Sequence, residues 1–208
     1  MKNYDGIIFD VDGTLWYSCD KVARLWSEAA TEYLGRPIHW TGPQIQPMFG
    51  QTMDVFLDTL LPGLSRQQKD ELSRRCWDRE NAGLPDDPGV LYPGVAETLR
   101  ELSRTHRLFI VSNCQKGYIE VLLDAYGLRD CVEGWLCWED TFQSKDVTIR
   151  RLMEQYGLNT AVYVGDTQGD ADACAAAGVD FIWAAYGIGT VAHPAEQIHC
   201  FGELQELV

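Results

Sequence analysis

Two carboxylates stand two residues apart in Phe9-Asp10-Val11-Asp12-Gly13-Thr14-Leu15, directly after the apolar run Ile7-Ile8. Gly13 allows the backbone to turn sharply where a strand ends, so Asp10 and Asp12 can face one space. Packed together they repel unless a hard cation neutralises them, and oxygen ligands in octahedral array are what magnesium prefers. With the cation in place, one carboxylate can attack phosphorus while the other donates a proton to the leaving oxygen and later activates water. That is covalent phosphoryl transfer. Two solvated aspartates at a strand end would do none of this, so the reading depends on further groups arriving at the same place.

Three such groups follow further along the chain. Ser112 comes after Leu108-Phe109-Ile110-Val111 and precedes Asn113; its hydroxyl and the next backbone N–H groups can bind phosphate oxygens at a helix start, or Ser112 can simply cap that helix. Lys145 opens a helical stretch, where a cation opposes the helix dipole. A role in offsetting the charge of nucleophile and phosphate would explain its place, as would a solvated surface. Lys116 is the rival for that role and reads as a rim residue. Gly165-Asp166-Thr167-Gln168-Gly169-Asp170 supplies two more carboxylates: Asp166 to complete the protein ligands of the cation with Asp10 and Asp12, and Asp170 to orient that site from behind. Gly187-Ile188-Gly189 reads as an ordinary turn, with backbone approach to a substrate as the other possibility.

The elements that must position these residues are short apolar runs. Residues 7–9, 108–111, 135–137, 162–164 and 181–183 read as buried parallel strands. Helical stretches at 95–105, 117–126, 147–156 and 171–177 are long enough for crossovers between them. Alternation of strand and helix predicts an α/β sandwich on a parallel sheet. Asp10, Ser112 and Asp166 then lie at the C-terminal ends of strands, the edge on which open α/β sheets bind ligands. From 16 to 85 the alternation breaks: helices are expected at 21–34, 53–61 and 66–81, with no strand, as an inserted helical cap domain. The catalytic core is then 1–15 and 86–208, and the turn-rich exit at 83–89 suits a hinge. Trp16, Trp26, Trp40 and Trp77 fall in or beside the insert and are expected to build its core. Phe49-Gly50-Gln51 is either a recognition turn or a helix connection.

Composition narrows the function. The 208 residues are 46% hydrophobic and 23% charged, which is ordinary for a globular chain. Asp and Glu outnumber Lys and Arg by 31 to 17. The resulting field repels nucleic acid and anionic membranes, so a phosphorylated substrate needs a local cation. Seven cysteines, without the spacing of a zinc or redox pair, read as free thiols of a reducing compartment. No run approaches the ~20 apolar residues of a membrane span, and the first residues lack a secretory pattern. A cytoplasmic monomer or homodimer acting on a small phosphorylated metabolite, with neither nucleic acid nor membrane as partner, is expected.

Assembled, these motifs resemble the haloacid dehalogenase superfamily, in its phosphoglycolate-phosphatase-like branch with a helical cap after the first motif. The resemblance rests on Asp10-Val11-Asp12-Gly13-Thr14-Leu15, Tyr92-Pro93-Gly94, Ile110-Val111-Ser112-Asn113, Lys145, 165–170 and Ala176-Ala177-Gly178. The closing segment from Phe201 to Leu207 also looks like that branch. It implies a Rossmann-like three-layer sandwich, Asp10 as nucleophile, Asp12 as acid and base, Ser112 and Lys145 as phosphate ligands, and Mg2+ held by Asp10, Asp12 and Asp166. The chain departs from the pattern at Tyr17, where many relatives carry aspartate, and at Asp146-Val147-Thr148, where a proline-containing segment is usual.

Other activities share this constellation. A dehalogenase would use the same nucleophile but has no use for a proton donor at Asp12. A phosphonate hydrolase would need a cap lysine for a Schiff base, for which Lys21 and Lys69 are the candidates. A phosphomutase acting on a sugar phosphate would use the whole set. A non-catalytic phospho-accepting module would use the acidic cluster, hydroxyl and lysine but needs no lid, so the helical insert favours an enzyme.

Overall fold

The computed structural model describes residues 3–208. Along the chain run β1 (Gly6–Phe9), β2 (Trp16–Tyr17), α1 (Cys19–Leu34), α2 (Gly42–Ile45), α3 (Met53–Leu60), α4 (Arg66–Gly83) and β3 (Val90–Leu91). They are followed by α5 (Val95–Leu102), β4 (Leu108–Ser112), α6 (Tyr118–Ala125), β5 (Gly134–Cys137), α7 (Trp138–Thr141) and α8 (Lys145–Tyr156). The chain closes with β6 (Ala161–Gly165), α9 (Gln168–Ala177), β7 (Asp180–Ala184) and β8 (Gln197–Ile198), then a 3-10 turn over Phe201–Glu206. Two compact units result: Ser18–Gly89, and the preceding residues up to Tyr17 together with Val90–Val208.

The larger unit carries a six-stranded sheet in the order β5-β4-β1-β6-β7-β8, with every neighbouring pair parallel. The five apolar runs expected as strands are its first five members. β1, β4 and β6 are buried along their whole length, which is why their sequences are continuous runs dominated by branched and aromatic residues, whereas β5 and β7 are partly exposed. Ile8 sits level with Phe109 on one side and Tyr163 on the other. On that face Ile149 and Leu152 of α8 and Cys174 of α9 close the core. On the opposite face Phe9 meets Phe201 with ring centres 5.6 Å apart, and α5 packs on the C-terminal turn. This is a three-layer α/β sandwich.

Two strand pairings escape the periodicity of the sequence. β2 and β3 form an antiparallel ribbon of two residues each, pairing Trp16 with Leu91 and Tyr17 with Val90. Trp16 therefore belongs to the sheet-bearing unit rather than to the helical insert, and the insert begins after the ribbon. Two-residue strands are too short to show alternation, and their pairing is set by residues more than seventy positions apart. β8 is likewise two residues long and extends the sheet beside β7.

The helical unit is built on α1, against which α2 and α4 pack, with α3 on α4. Ser65 starts α4 with a capping box: its Oγ accepts from Gln68 N–H, and its own N–H donates to Gln68 Oε1. Trp26 and Trp40 are core residues, as expected. Trp26 stands edge-to-face on Phe56 at 4.6 Å and donates through Nε1 to Glu80 Oε2 at 2.6 Å. The exit at 83–89 is tied to α1, because Asp87 pairs with Lys21 and Arg24. Phe49-Gly50-Gln51 connects the 3-10 turn at Gln46–Met48 to α3, with Gly50 at φ 84.

Because Glu80 is 3% exposed, loss of the indole donor weakens the solvation of a buried carboxylate. Trp26→Phe is expected to destabilise the helical unit by about 1–3 kcal/mol, read as a shift in its denaturant unfolding midpoint.

Candidate active site

β1 is central in the sheet, and the chain proceeds from it to β4 on one side and β6 on the other. The C-terminal ends of β1, β4 and β6 therefore lie side by side where the strand order reverses. Asp10 is the residue after β1, Ser112 the last of β4 and Asp166 the residue after β6. Asp10, Ser112 and Asp166 are 1%, 5% and 0% exposed.

Lys145 is the first residue of α8, and its unfavourable place in the helix has a local cause. Its Nζ donates to Asp10 Oδ1 at 2.9 Å and to Asp170 Oδ1 at 2.5 Å, all three groups being buried. Burial acts against its charge, but Asp10 and Asp170 together outweigh that and hold its pKa above the usual lysine range. Tyr163, from the middle of β6, places its hydroxyl between Val111 O at 2.7 Å and Asp10 Oδ1 at 3.4 Å. Among the described residues nothing donates to the second oxygen of Asp10. Asp170 is fixed from its own helix start, where its Oδ2 accepts from Thr167 N–H and Oγ1 at 3.0 and 2.6 Å.

Asp166 is held by the backbone. Its Oδ2 accepts from Ile188 N–H at 3.0 Å and Gly189 N–H at 2.8 Å. The glycine pair thus approaches a carboxylate of the site, and a side chain there would collide: a Cβ on Gly187 would lie 2.4 Å from Asp166 Cβ, and one on Gly13 2.2 Å from Asp166 Oδ2. Asp166 Oδ1, by contrast, is buried with no hydrogen-bond partner. Oxygen atoms of Asp10, Asp166 and Asp170 lie within 4.8 Å of one another.

Three carboxyl groups share this pocket with one ammonium, so their full ionisation would leave an excess of two negative charges. Burial pushes the Asp10 carboxyl up to about 7; Lys145 opposes this, while Asp170 and Asp12 add to it. Burial also pushes Asp166 up to about 8, reinforced by Asp10 and Asp170. An all-oxygen donor set, a charge excess of two on full ionisation and an orphaned buried carboxylate oxygen fit a hard divalent cation.

The structure brings Asp10, Asp166, Asp170 and Lys145 together. The carboxylate of Asp12, assigned in the sequence to the same ligand set, is not in that group of three. Its Oδ1 accepts from Trp16 Nε1 at 3.1 Å and Tyr118 OH at 2.7 Å. Ser112 does not stand at a helix start: α6 begins at Tyr118, after Gly117 at φ 92, and 113–117 form an intervening loop that includes Asn113. Lys116 is 63% exposed at its side chain and pairs with Asp140 at 3.1 Å. Tyr163, Tyr118 and the backbone N–H groups of Ile188 and Gly189 were not legible as site members. The tyrosines read as strand and helix core, and a backbone donor carries no side-chain signature.

Residues 7–184 match the model of the haloacid dehalogenase-like hydrolases, and the chain belongs to that family. Within it the chain falls in the phosphatase branch that resembles phosphoglycolate phosphatase. It is 26% identical over 182 residues to the phosphoglycolate phosphatase of Cereibacter sphaeroides, covering 85% of this chain and 83% of that one. It is also 26% identical over 195 residues to that of Yersinia pseudotuberculosis, covering 90% and 83%. Solved structures share the fold. A haloacid dehalogenase-like hydrolase from Streptococcus pneumoniae superposes with a TM-score of 0.83 at 21% identity, covering 98% and 97% of the two chains. CbbY from Rhodobacter sphaeroides in complex with xylulose-(1,5)-bisphosphate gives 0.84 at 19% identity, covering 97% and 96%.

Gly187→Ala forces a methyl group against Asp166 and the Gly13 carbonyl. It is expected to weaken divalent-cation affinity about 10–100-fold, measured by calorimetric titration of the folded variant.

Proposed function

We propose that this protein is a magnesium-dependent phosphatase that hydrolyses a small phosphate monoester through an aspartyl-phosphate on Asp10. The observation that carries the proposal is Asp10 itself: buried at the end of the central strand, one oxygen engaged by Lys145, beside two further carboxylates and an orphaned carboxylate oxygen. The charge of Lys145 and the bound cation admits a phosphate to a pocket otherwise rich in negative charge. Asp10 and Asp166 would hold the magnesium ion, which when bound draws charge from the phosphate oxygens. In this reading the Asp12 carboxylate is left to proton transfer, and Asp170 anchors Lys145. Ser112 and the backbone N–H of Asn113 are assigned to phosphate oxygens with Lys145.

In the first step the free oxygen of Asp10 forms a bond to phosphorus, the ester P–O bond breaks, and Asp12 gives its proton to the departing oxygen. In the second, Asp12 takes a proton from water as the water oxygen attacks phosphorus, and Asp10 departs as carboxylate. Substrate choice is assigned to the helical unit Ser18–Gly89, in the role of a cap. The relatives named above point to phosphoglycolate or another small phosphorylated metabolite. Seven free cysteines suit a reducing cytoplasm. No helix among the described residues is long and apolar enough to cross a membrane.

Phosphate release from a panel of small phosphate esters, with and without magnesium, tests the proposal. Magnesium-dependent release is expected, falling by roughly 10³-fold or more in Asp10→Asn. A folded, magnesium-bound protein that releases no phosphate across the panel would overturn it, and an isomerised sugar phosphate in place of free phosphate would identify a phosphomutase.

A further inference from the structure

Asp12 is asked to carry a proton in both directions, and its surroundings differ from those of the other carboxylates. Lys145 holds Asp10 and Asp170 with a full positive charge. The two donors that meet Asp12 Oδ1, the Trp16 indole N–H and the Tyr118 hydroxyl, are neutral. That distinction is chemical. The indole and phenol hydrogen bonds fix the direction of the carboxyl.

The two donors are built to stay in place. Trp16 and Tyr118 are 0% and 1% exposed, and their rings meet edge-to-face with centres 5.3 Å apart. Trp16 lies in β2, and its backbone closes the turn after β1 by accepting from Gly13 N–H at 3.0 Å. Tyr118 opens α6, more than one hundred residues away. Two elements of the same unit thus converge on one oxygen atom. Two hydrogen bonds to one oxygen hold the plane of the Asp12 carboxyl.

We infer that Tyr118 and Trp16 are positioning residues that clamp the Asp12 carboxyl in the direction from which it serves the leaving oxygen. The inference rests on the phosphatase reading and extends it to esters of different leaving groups. As the Asp10 oxygen bonds to phosphorus and the ester bond breaks, an alkoxide leaving group is strongly basic and needs the proton from Asp12. A 4-nitrophenolate is a weak base and departs as the anion. A loosened Asp12 therefore harms alkyl esters more than activated aryl esters.

The experiment compares kcat/KM, which reports the steps up to leaving-group departure, for the best alkyl phosphate of the panel and for 4-nitrophenyl phosphate. Tyr118→Phe deletes one hydroxyl and keeps the ring. It is expected to lower kcat/KM for the alkyl ester about tenfold or more, and for the aryl ester by far less, because general acid catalysis contributes about 10²–10⁴-fold where it is needed. In an Asp12→Asn background the same change should cost the alkyl ester almost nothing further, since its effect passes through Asp12. Equal losses on both esters, no loss on either, or an undiminished loss in the Asp12→Asn background would overturn the inference. Should Tyr118→Phe fail to fold by thermal melting, Trp16→Phe is read by the same criteria. A wild-type protein inactive on both esters marks failure of the phosphatase reading, which takes this inference with it.

Discussion

The buried ammonium of Lys145 is the interaction on which the site depends. It is the positive charge that allows Asp10 and Asp170 to be packed under the sheet edge, and a lysine so placed must be reached from a helix start that disfavours it. The rest of the unit serves that constraint. β4, β1 and β6 lie adjacent and in parallel, so the residues at their ends share one floor, and α8 crosses beneath them to bring its first residue to the same point. Removing the lysine would leave two carboxylates buried without their partner, which is why fold and chemistry are hard to separate here.

Around this pair the carboxylates are held by different kinds of partner, and the differences sort their roles. Asp10 has a charged donor and the hydroxyl of Tyr163. Asp170 has the charged donor and its own helix cap. Asp166 has two backbone N–H groups and one oxygen without a partner. Asp12 meets an indole and a phenol at Oδ1. Four residues of nearly identical chemistry thereby acquire four environments from loops and strands far apart in the chain.

Much of this was legible in the sequence. The five long strands declare themselves as apolar runs, and the three central ones end in Asp10, Ser112 and Asp166. Lys145 stands out because a lysine is misplaced at that helix start. What escaped notice is what depends on pairing at a distance. The ribbon of Trp16 and Tyr17 with Val90 and Leu91 has no period to detect, so Trp16 was counted with the helical insert. Ser112 reads as a helix-start residue from its place after a strand, yet α6 begins only at Tyr118. Tyr118 and Tyr163 look like ordinary core aromatics, and only their hydroxyl contacts distinguish them.

The orphaned oxygen of Asp166 has a thermodynamic consequence of its own. A cation that binds the folded unit and not the unfolded chain shifts the folding equilibrium by mass action, adding stability as RT ln(1 + [L]/Kd). Under the proposed function, the crowded carboxyls of this pocket would make the unit least stable when the cation is scarce. With the proposed cation bound there, the folded fraction would be coupled to the free concentration of a small ion, so that the same carboxylates would set both how the protein reacts and how much of it stays folded.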